Sequence, residues 1–323
     1  MMRKLTMAEA LREALIEEMT RDPRVFVIGE DLRAGVPFGV TKGLVEQFGE
    51  DRVLDTPISE AAIIGASLGA AITGMRPVAD MHFADFVTCA MDEVVNQIAK
   101  VRYMFGGQMD VPLTLRMPTG SVKGAAAHHS QSLESWFVHT PGLRVVFPST
   151  PADAKGLLKT CIRGLDPVLF FEHKRLYKMS GEVPEEEVLI PLGTADVKRE
   201  GSDVTVVATG CMVQLALDAA DRLGQEGIEV EVVDPRCLAP FDKATVFASV
   251  RKTNRVVIVE EAAKTGAFGA QIAAWLAEEL FDGLDAPIQR VAAKDVPIPF
   301  SPPMEEFVIP NAADVEAAVR RIL

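Results

Sequence analysis

The sequence predicts an α/β protein made of two open domains, each built on a mostly parallel β-sheet. Short apolar strands alternate with helical patterns along most of the chain, which is typical of parallel strands joined by helices. A charged, proline-containing stretch interrupts this alternation, and a second series of strands and helices follows it. The 323 residues are enough for two domains, which we place at 1–175 and 203–323, with a linker at 176–202.

Local signals place the individual elements. Thr6 and Glu9 predict a capping box for a helix that ends near Met19, and Pro151 suits the first turn of another helix. In the first domain we predict strands at 25–28, 78–79, 112–116, 144–147 and 168–171, and helices at 60–73, 84–103 and 151–163. In the second domain we predict strands at 204–208, 229–233, 255–259 and 288–291, and helices at 213–223, 270–280 and 313–322.

The composition argues against several classes of protein. A net charge of -13 disfavours nucleic-acid binding, which needs a basic surface. The first residues lack the uncharged core of a signal peptide, and the run 61–75 is too short and glycine-rich to span a bilayer. The four cysteines form no C-x-x-C pair, which indicates reduced thiols. We expect a soluble cytoplasmic protein from a bacterium or archaeon, or one of an organellar matrix.

Candidate site residues lie where strands of the first domain end. Open α/β sheets bind ligands at the carboxyl ends of their strands, and Glu30 and His82 each follow a predicted strand. Phe86 lies just beyond, although its spacing alone would make it a core residue of the helix at 84–103. The loop 128–131, with two adjacent histidines, follows the strand at 112–116.

Glu60 is the most informative candidate. On its own it is an ordinary carboxylate at a helix N-terminus, where the helix dipole favours negative charge. Gly65 and Gly69 follow it, four residues apart, so they share one helix face and let another backbone come close. A carboxylate beside such a tight contact suggests a cofactor held between two packed surfaces.

Taken together, these motifs resemble a known family over nearly the whole chain. The matching segments are 27–31, 55–69, 83–86, 92–96, 129–132, 141–143, 148–151 and 234–236. They resemble the β subunit of the two-chain (α2β2) thiamine-diphosphate-dependent decarboxylating component of 2-oxo acid and acetoin dehydrogenase complexes. The resemblance implies a pyrimidine-binding domain followed by a transketolase C-terminal-like domain that serves assembly.

The resemblance also implies roles for individual residues. Glu60 would hydrogen-bond the pyrimidine ring of thiamine diphosphate and promote its imino form, and burial against the ring would raise its pKa. Phe86 would stack on the pyrimidine, with Ile58 and His82 beside it, although many relatives have glutamine at 82. Glu30 would lie near the cofactor, either in a chain of proton-exchanging acids or in a structural hydrogen bond.

Further roles implied by the resemblance concern the substrate and a cation. His129 would act on the substrate and in acyl transfer, whereas His128 has no assigned role and that of His139 is open. Relatives bind a potassium ion through main-chain carbonyls and a side-chain oxygen. The matching positions here are Leu113, Thr114, Cys161 and Asp166, the last of which stands where asparagine is frequent.

A missing motif predicts a partner chain. Enzymes of this class hold the diphosphate through Mg²⁺ at a Gly-Asp-Gly motif with a downstream asparagine, and Gly-Asp-Gly is absent here. We therefore expect an α subunit to supply the Mg²⁺ site within an α2β2 heterotetramer. The second domain would also dock the subunit-binding domain of the lipoyl acyltransferase core.

Several alternatives remain open at this point. The residues at 172–174 and 181–193 look more like pyruvate or acetoin forms than branched-chain forms, so we favour oxidative decarboxylation of a pyruvate-like 2-oxo acid with reductive acylation of a lipoyl group. A non-catalytic assembly subunit is an alternative of a different class. A flavodoxin-like protein is disfavoured by the lack of phosphate loops, and a serine hydrolase by the lack of G-x-S-x-G.

Overall fold

The computed structural model describes all residues, Met1–Leu323, and divides into two compact units. The first unit comprises Met1–Thr119 and Trp136–Leu192, and the second comprises Gly120–Ser135 and Gly193–Leu323. Each unit is described here by itself. None of the helices combines the length and the apolar character that crossing a membrane would require.

The first unit contains eight strands and the helices between them. The strands are β1 (Met2–Thr6), β2 (Val25–Gly29), β3 (Val53–Asp55), β4 (Arg76–Asp80), β5 (Thr114–Thr119), β6 (Arg144–Val146), β7 (Val168–His173) and β8 (Ser180–Pro184). The helices are α1 (Met7–Arg21), α2 (Leu44–Phe48), α3 (Glu60–Ile72), α4 (Val101–Met104), α5 (Glu134–Val138), whose first two residues belong to the second unit, and α6 (Pro151–Arg163).

Six of these strands form a parallel sheet in the order β6-β7-β5-β4-β2-β3. β1 pairs separately with β8 in an antiparallel ribbon. The chain moves from β2 outward to β3, and then returns through α3 to place β4 on the other side of β2. This reversal opens a crevice beyond the carboxyl ends of β2 and β4, where open α/β sheets bind ligands.

Local signals set the boundaries of two helices well. Thr6 accepts a hydrogen bond from the backbone of Glu9 and the Glu9 side chain accepts one in return, so the predicted capping box begins α1. α6 spans the predicted residues, because Thr150 caps it and Pro151 occupies its first turn.

The long helix predicted at 84–103 is wrong. The chain instead forms a 3₁₀ helix at Ala84–Ala90, a π-helix at Glu93–Ile98 and the short α4. The apolar spacing could not reveal this, because tertiary contacts decide it: Asp85 is buried with its carboxylate 3.9 Å from the buried ammonium of Lys174. Such irregular helices are frequent at functional sites.

The second unit repeats the α/β pattern around a five-stranded sheet. Its strands are β9 (Asp196–Arg199), β10 (Val204–Ala208), β11 (Val230–Asp234), β12 (Cys237–Ala239), β13 (Val256–Ala263) and β14 (Gln289–Ala293). Its helices are α7 (Met212–Gly224), α8 (Lys243–Thr253), α9 (Phe268–Leu280), α10 (Pro302–Val308) and α11 (Ala312–Ile322). The sheet order is β14-β13-β10-β11-β9, parallel except for the edge strand β9. The predicted fold class, two mostly parallel-sheet domains, is confirmed.

Candidate active site

Two carboxylates come together at the crevice of the first unit. Glu30 directly follows β2, and Glu60 opens α3, where the Ser59 side chain makes no capping hydrogen bond. Burial raises the pKa of Glu30 above its ordinary value, and the negative charge of Glu60 raises it further, while His82 opposes the shift. The structure thus joins three of the sequence-predicted residues, Glu30, Glu60 and His82, in one electrostatic group.

The backbone around this pair is tightly set. Gly29 ends β2 so close to β4 that an added Cβ atom would lie 2.7 Å from the carbonyl oxygen of Asp80, which explains the need for glycine. Asp31 and His82, which follow the two strands, have positive φ angles of 53° and 61°. Such angles are uncommon for residues other than glycine and mark sites where local strain is retained.

A buried ion network supports the turn that carries His82. Asp80 accepts a hydrogen bond from the backbone N–H of His82 at 2.9 Å, and Arg116 donates to the same carboxylate at 2.5 Å. Arg116 also forms a two-pronged pair with Glu172, with both distances at 2.7 Å, and the hydroxyl of Tyr177 donates to Glu172 at 2.6 Å. This network fixes the carboxyl ends of β4, β5 and β7 relative to each other.

Burial shapes the charges of this network. Burial alone would lower the pKa of Arg116, but Glu172 and Asp80 raise it well above its usual value, so the guanidinium stays charged. Burial also raises the pKa of Tyr177 well above its ordinary value, and Glu172 raises it further, so the phenol remains a neutral donor. Arg116 therefore stays charged and Tyr177 stays neutral across the physiological range.

An aromatic and apolar wall lies beside the acids. The ring of Phe83 contacts those of His82, Phe86 and Phe38 edge to face, at 5.2 Å, 6.0 Å and 5.9 Å. Ile58 precedes α3 and its side chain is 78% exposed, which is uncommon for an isoleucine. These residues could take a planar, partly apolar ligand next to Glu60.

The glycine face of α3 is open. Gly65 and Gly69 are exposed, and an added Cβ atom would meet nothing within 4 Å at Gly69 and only the Glu93 side chain, at 4.0 Å, at Gly65. α3 is therefore not the fully buried helix that its small residues suggest. The close approach expected at these glycines is not made within the first unit.

His129 belongs to the second unit, on the loop that follows β5. It ends a 3₁₀ turn, Ala127–His129, which begins after Ala126 with a positive φ of 62°. The loop is anchored by its backbone: Ser121 N–H donates to Glu261 at 2.5 Å and Gly124 N–H to Glu305 at 2.9 Å. His129 is half-buried, whereas His128 is exposed, so the loop presents its two histidines differently.

A buried acidic group, which the sequence did not reveal, lies in the same unit. Glu134 is 3% exposed, and its Oε2 has no hydrogen-bond partner. Burial raises the pKa of Glu134 to about 8, and the charges of Glu260 and Glu261 raise it in the same direction. Glu134 therefore holds a proton at neutral pH.

The residues expected to bind a monovalent cation lie near the start of β5 and after α6, in the first unit. The carbonyl oxygen of Leu113 accepts from Val168 N–H at 2.9 Å, and that of Cys161 accepts from Gly164 N–H at 3.0 Å. Thr114 is buried in β5. Each oxygen of the Asp166 carboxylate forms an ion pair, one with Arg102 and the other with Arg144, so neither oxygen is free to bind a cation.

We did not predict the ion network around Arg116 from the sequence, although charged residues in two apolar strands are a signal for it. Arg116 lies in a strand of otherwise apolar character, and Glu172 follows the apolar run of β7. A charge inside a buried strand is costly unless it is paired. Two opposite charges in buried strands therefore predict that the strands are neighbours and that the two side chains form an ion pair.

Comparison with known proteins agrees with this geometry. Residues 3–180 match the family model of the transketolase pyrimidine binding domain, and residues 193–315 match that of the transketolase C-terminal domain. A solved structure described as a split gene transketolase, an inactive beta4 tetramer, shares the fold with a TM-score of 0.82 and 27% identity, over 99% of this chain and 98% of that one. Fold and site therefore define a transketolase-type two-domain protein.

Curated relatives narrow the class. The chain is 48% identical to the acetoin:2,6-dichlorophenolindophenol oxidoreductase subunit beta of Bacillus subtilis (strain 168), over 100% of this chain and 98% of the relative. It is 48% identical to the 2-oxoisovalerate dehydrogenase subunit beta of the same organism, over 97% of each, and 46% identical to the pyruvate dehydrogenase E1 component subunit beta of Rickettsia felis, over 99% and 98%. The chain belongs to the family of β subunits of pyruvate, branched-chain 2-oxo acid and acetoin dehydrogenase complexes, which confirms the resemblance inferred from its motifs.

Proposed function

We propose that this chain is the β subunit of a thiamine-diphosphate-dependent 2-oxo acid dehydrogenase component. The reaction is the oxidative decarboxylation of a 2-oxo acid with transfer of the acyl group to a lipoyl group. The observation that carries the proposal is the Glu30–Glu60 pair at the crevice, where the Glu60 charge raises the pKa of Glu30. Such a pair can hold and pass a proton beside a bound heteroaromatic ring.

The residues present fit the pyrimidine half of thiamine diphosphate. The Thr56 hydroxyl is buried without a hydrogen-bond partner, and Ile58 and Phe86 offer apolar and aromatic contacts next to Glu60. The cofactor, when bound, supplies the carbon nucleophile and the electron sink of the reaction. With the cofactor bound, Glu60 would hydrogen-bond the ring nitrogen of the pyrimidine, and Glu30 would belong to the same group of proton-exchanging acids.

The remaining site residues have supporting roles. His82 lies beside the acids on the turn fixed by Asp80, where it would line the surroundings of the pyrimidine ring. His129, on its anchored loop in the second unit, is proposed to exchange a proton with the substrate and in acyl transfer. The domain boundaries that we propose are 1–175 for a pyrimidine-binding domain and 203–323 for an assembly domain, with a linker at 176–202. By these boundaries His129 belongs to the pyrimidine-binding domain, although the structure groups its loop with the second compact unit.

We further propose that the chain works only with an α subunit. The chain lacks Gly-Asp-Gly, so the Mg²⁺ and diphosphate contacts must come from another polypeptide. The exposed glycine face of α3 and the exposed Ile58 beside Glu60 are surfaces that such a subunit would cover. The second domain is proposed to dock the subunit-binding domain of the lipoyl acyltransferase core.

Pyruvate is the proposed substrate, with acetoin as the second candidate. Acetoin and a branched-chain 2-oxo acid stay as candidates, because the chain is 48% identical both to the acetoin:2,6-dichlorophenolindophenol oxidoreductase subunit beta and to the 2-oxoisovalerate dehydrogenase subunit beta. The test is reconstitution with the α subunit, followed by turnover assays with pyruvate, 3-methyl-2-oxobutanoate and acetoin. A folded α2β2 complex that turns over none of the three would leave the non-catalytic assembly subunit as the better reading.

A further inference from the structure

The loop between α6 and β7 is contacted by arginines at the place where relatives bind potassium. Arg76, at the start of β4, directs its Nη1 at this loop. This nitrogen donates to the carbonyl oxygen of Ile162 and to that of Gly164, both at 2.8 Å. The Arg76 guanidinium therefore already supplies positive charge to the carbonyl oxygens of Ile162, in the last turn of α6, and of Gly164, in the loop.

The carboxylate of the loop is engaged as well. Arg102 donates to Asp166 Oδ1 at 2.6 Å, and Arg144 donates to Asp166 Oδ2 at 2.9 Å. Asp166 thus gives one oxygen to each guanidinium. Where relatives have asparagine, whose neutral carbonyl can ligate a cation, this chain has a carboxylate that two arginines neutralise.

The other carbonyl oxygens nearby have donors of their own. Leu113 O accepts from Val168 N–H at 2.9 Å, and Leu165 O accepts from Val111 N–H at 3.0 Å. Each of these two carbonyl oxygens therefore already has one of its two lone pairs engaged. A potassium ion entering between Ile162 and Gly164 would also meet the Arg76 guanidinium, and like charges repel at that distance.

We infer that arginines of this chain hold the 161–167 loop in place of a monovalent cation, and that folding of the first unit does not depend on potassium. Arg76 takes the position of the ion toward the carbonyls, since Nη1 carries two N–H groups that reach two oxygens at once. Arg102 and Arg144 take up the charge of Asp166.

The first experiment compares salts. Thermal unfolding of the full-length chain is followed in potassium, sodium and tetramethylammonium chloride at equal ionic strength. We expect Tm values that agree within about 1 °C, because a saturating structural ion would shift Tm by about 5 °C or more. A rise of that size specific to potassium would overturn the inference.

The second experiment removes the arginine. Arg76→Met should lower Tm by about 5 °C in all three salts, because two charge-assisted hydrogen bonds are lost. Arg24→Met is the matched control; the Arg24 side chain is 55% exposed and pairs with Asp22 near the surface, so a smaller loss is expected. Should Arg76→Met fail to fold, Arg76→Lys is the second variant. It keeps the positive charge but not the planar guanidinium that bonds both carbonyl oxygens, so it should lower Tm by less than Arg76→Met would. A Tm equal to that of the unchanged chain for either variant contradicts the role given to Arg76.

Discussion

Glu60 owes its chemistry to the residues that surround it. A carboxylate at a helix N-terminus is common, and the dipole alone stabilises it modestly. Here Glu30 lies close enough for the charge of one to raise the pKa of the other. The hydrogen bonds of Asp80 with Arg116 and with the backbone of His82 hold the turn that carries His82 beside these acids.

Replacing Glu60 tests its proposed role. Glu60→Gln keeps the size and the helix position of the side chain but removes its acid–base function, so turnover of the α2β2 complex should fall by about 100-fold or more. Tm should change little, because the wild-type side chain is only half-buried. Glu46→Gln, on the exposed face of α2, is the control and should leave turnover unchanged. Near-normal turnover of Glu60→Gln would refute the role, and loss of folding would favour a purely structural cap.

Glu134 gives a prediction about pH. Its pKa is raised from an ordinary value of 4.5 to about 8, so between these values the unfolded chain loses the proton while the folded chain keeps it. Stability contributed by this proton is therefore complete below about pH 4.5 and is lost as pH rises toward 8. Glu134→Gln lacks this loss, so relative to the wild type it should gain stability on the order of 4 kcal/mol between pH 5 and pH 8.5.

Urea midpoints of the two proteins at pH 5 and pH 8.5 measure this difference. The exposed control Glu46→Gln should show no difference that grows with pH. A constant offset between Glu134→Gln and the wild type would mean that the carboxyl ionises normally.

At the scale of elements, α3 carries both the proposed acid, Glu60, and the open glycine face that we propose an α subunit covers. Its buried residues, such as Ile64 and Ser67, pack toward the sheet, while Gly65 and Gly69 leave the opposite face open. Small residues on an exposed helix face carry a cost in helix propensity, since glycine lies about 1 kcal/mol below alanine. Retaining them here is consistent with a neighbour that must come close in the assembled enzyme.

Gly69→Ala separates the effect of helix propensity on stability from the effect of the open glycine face on assembly. In the isolated chain the added methyl group meets open space, so the free energy of unfolding should rise by about 0.5–1 kcal/mol. Binding of the α subunit should weaken about tenfold or more, because the methyl group would occupy the room left for the partner's backbone. Gly283→Ala, also surrounded by open space, is the control for assembly and should leave affinity unchanged. Unaltered affinity of Gly69→Ala would mean that this face remains uncovered.

Elements with local signals were predictable, and those set by distant contacts were not. Pro151 predicted the start of α6, and the run of β-branched residues predicted β10, because both signals lie within the element itself. The irregular segment after Phe83 depends on a buried pair between Asp85 and Lys174, which are far apart in sequence. Its helical spacing therefore indicated a regular helix that the packing does not permit.

The site follows the same rule. Glu30 and His82 could be predicted because carboxyl ends of parallel strands meet at one edge, and Glu60 because its motif is local. The partners of Arg116 could not, since Asp80 and Glu172 reach it only through the pairing of β4, β5 and β7. The candidate reacting groups could therefore be predicted from the sequence, whereas the ion network that positions them could not.

At the scale of the whole molecule, we propose that the chain carries half of a divided site. It has acids and an apolar wall suited to a pyrimidine, but no Gly-Asp-Gly to hold a diphosphate through Mg²⁺. Under this proposal, catalysis requires assembly with a second chain.

This division predicts how the purified chain responds to its cofactor. Calorimetric titration of the isolated chain with thiamine diphosphate and Mg²⁺ should show no saturable binding below about 100 μM, because the pyrimidine contacts alone lack the charged anchor that dominates affinity for a diphosphate. Adding the α subunit should create saturable binding. The complex built with Glu60→Gln should still bind, since the diphosphate contacts lie on the other chain, but it should stay inactive. Tight binding by the β chain alone would show that the phosphate site resides here, and the proposed division of the active site would then be wrong.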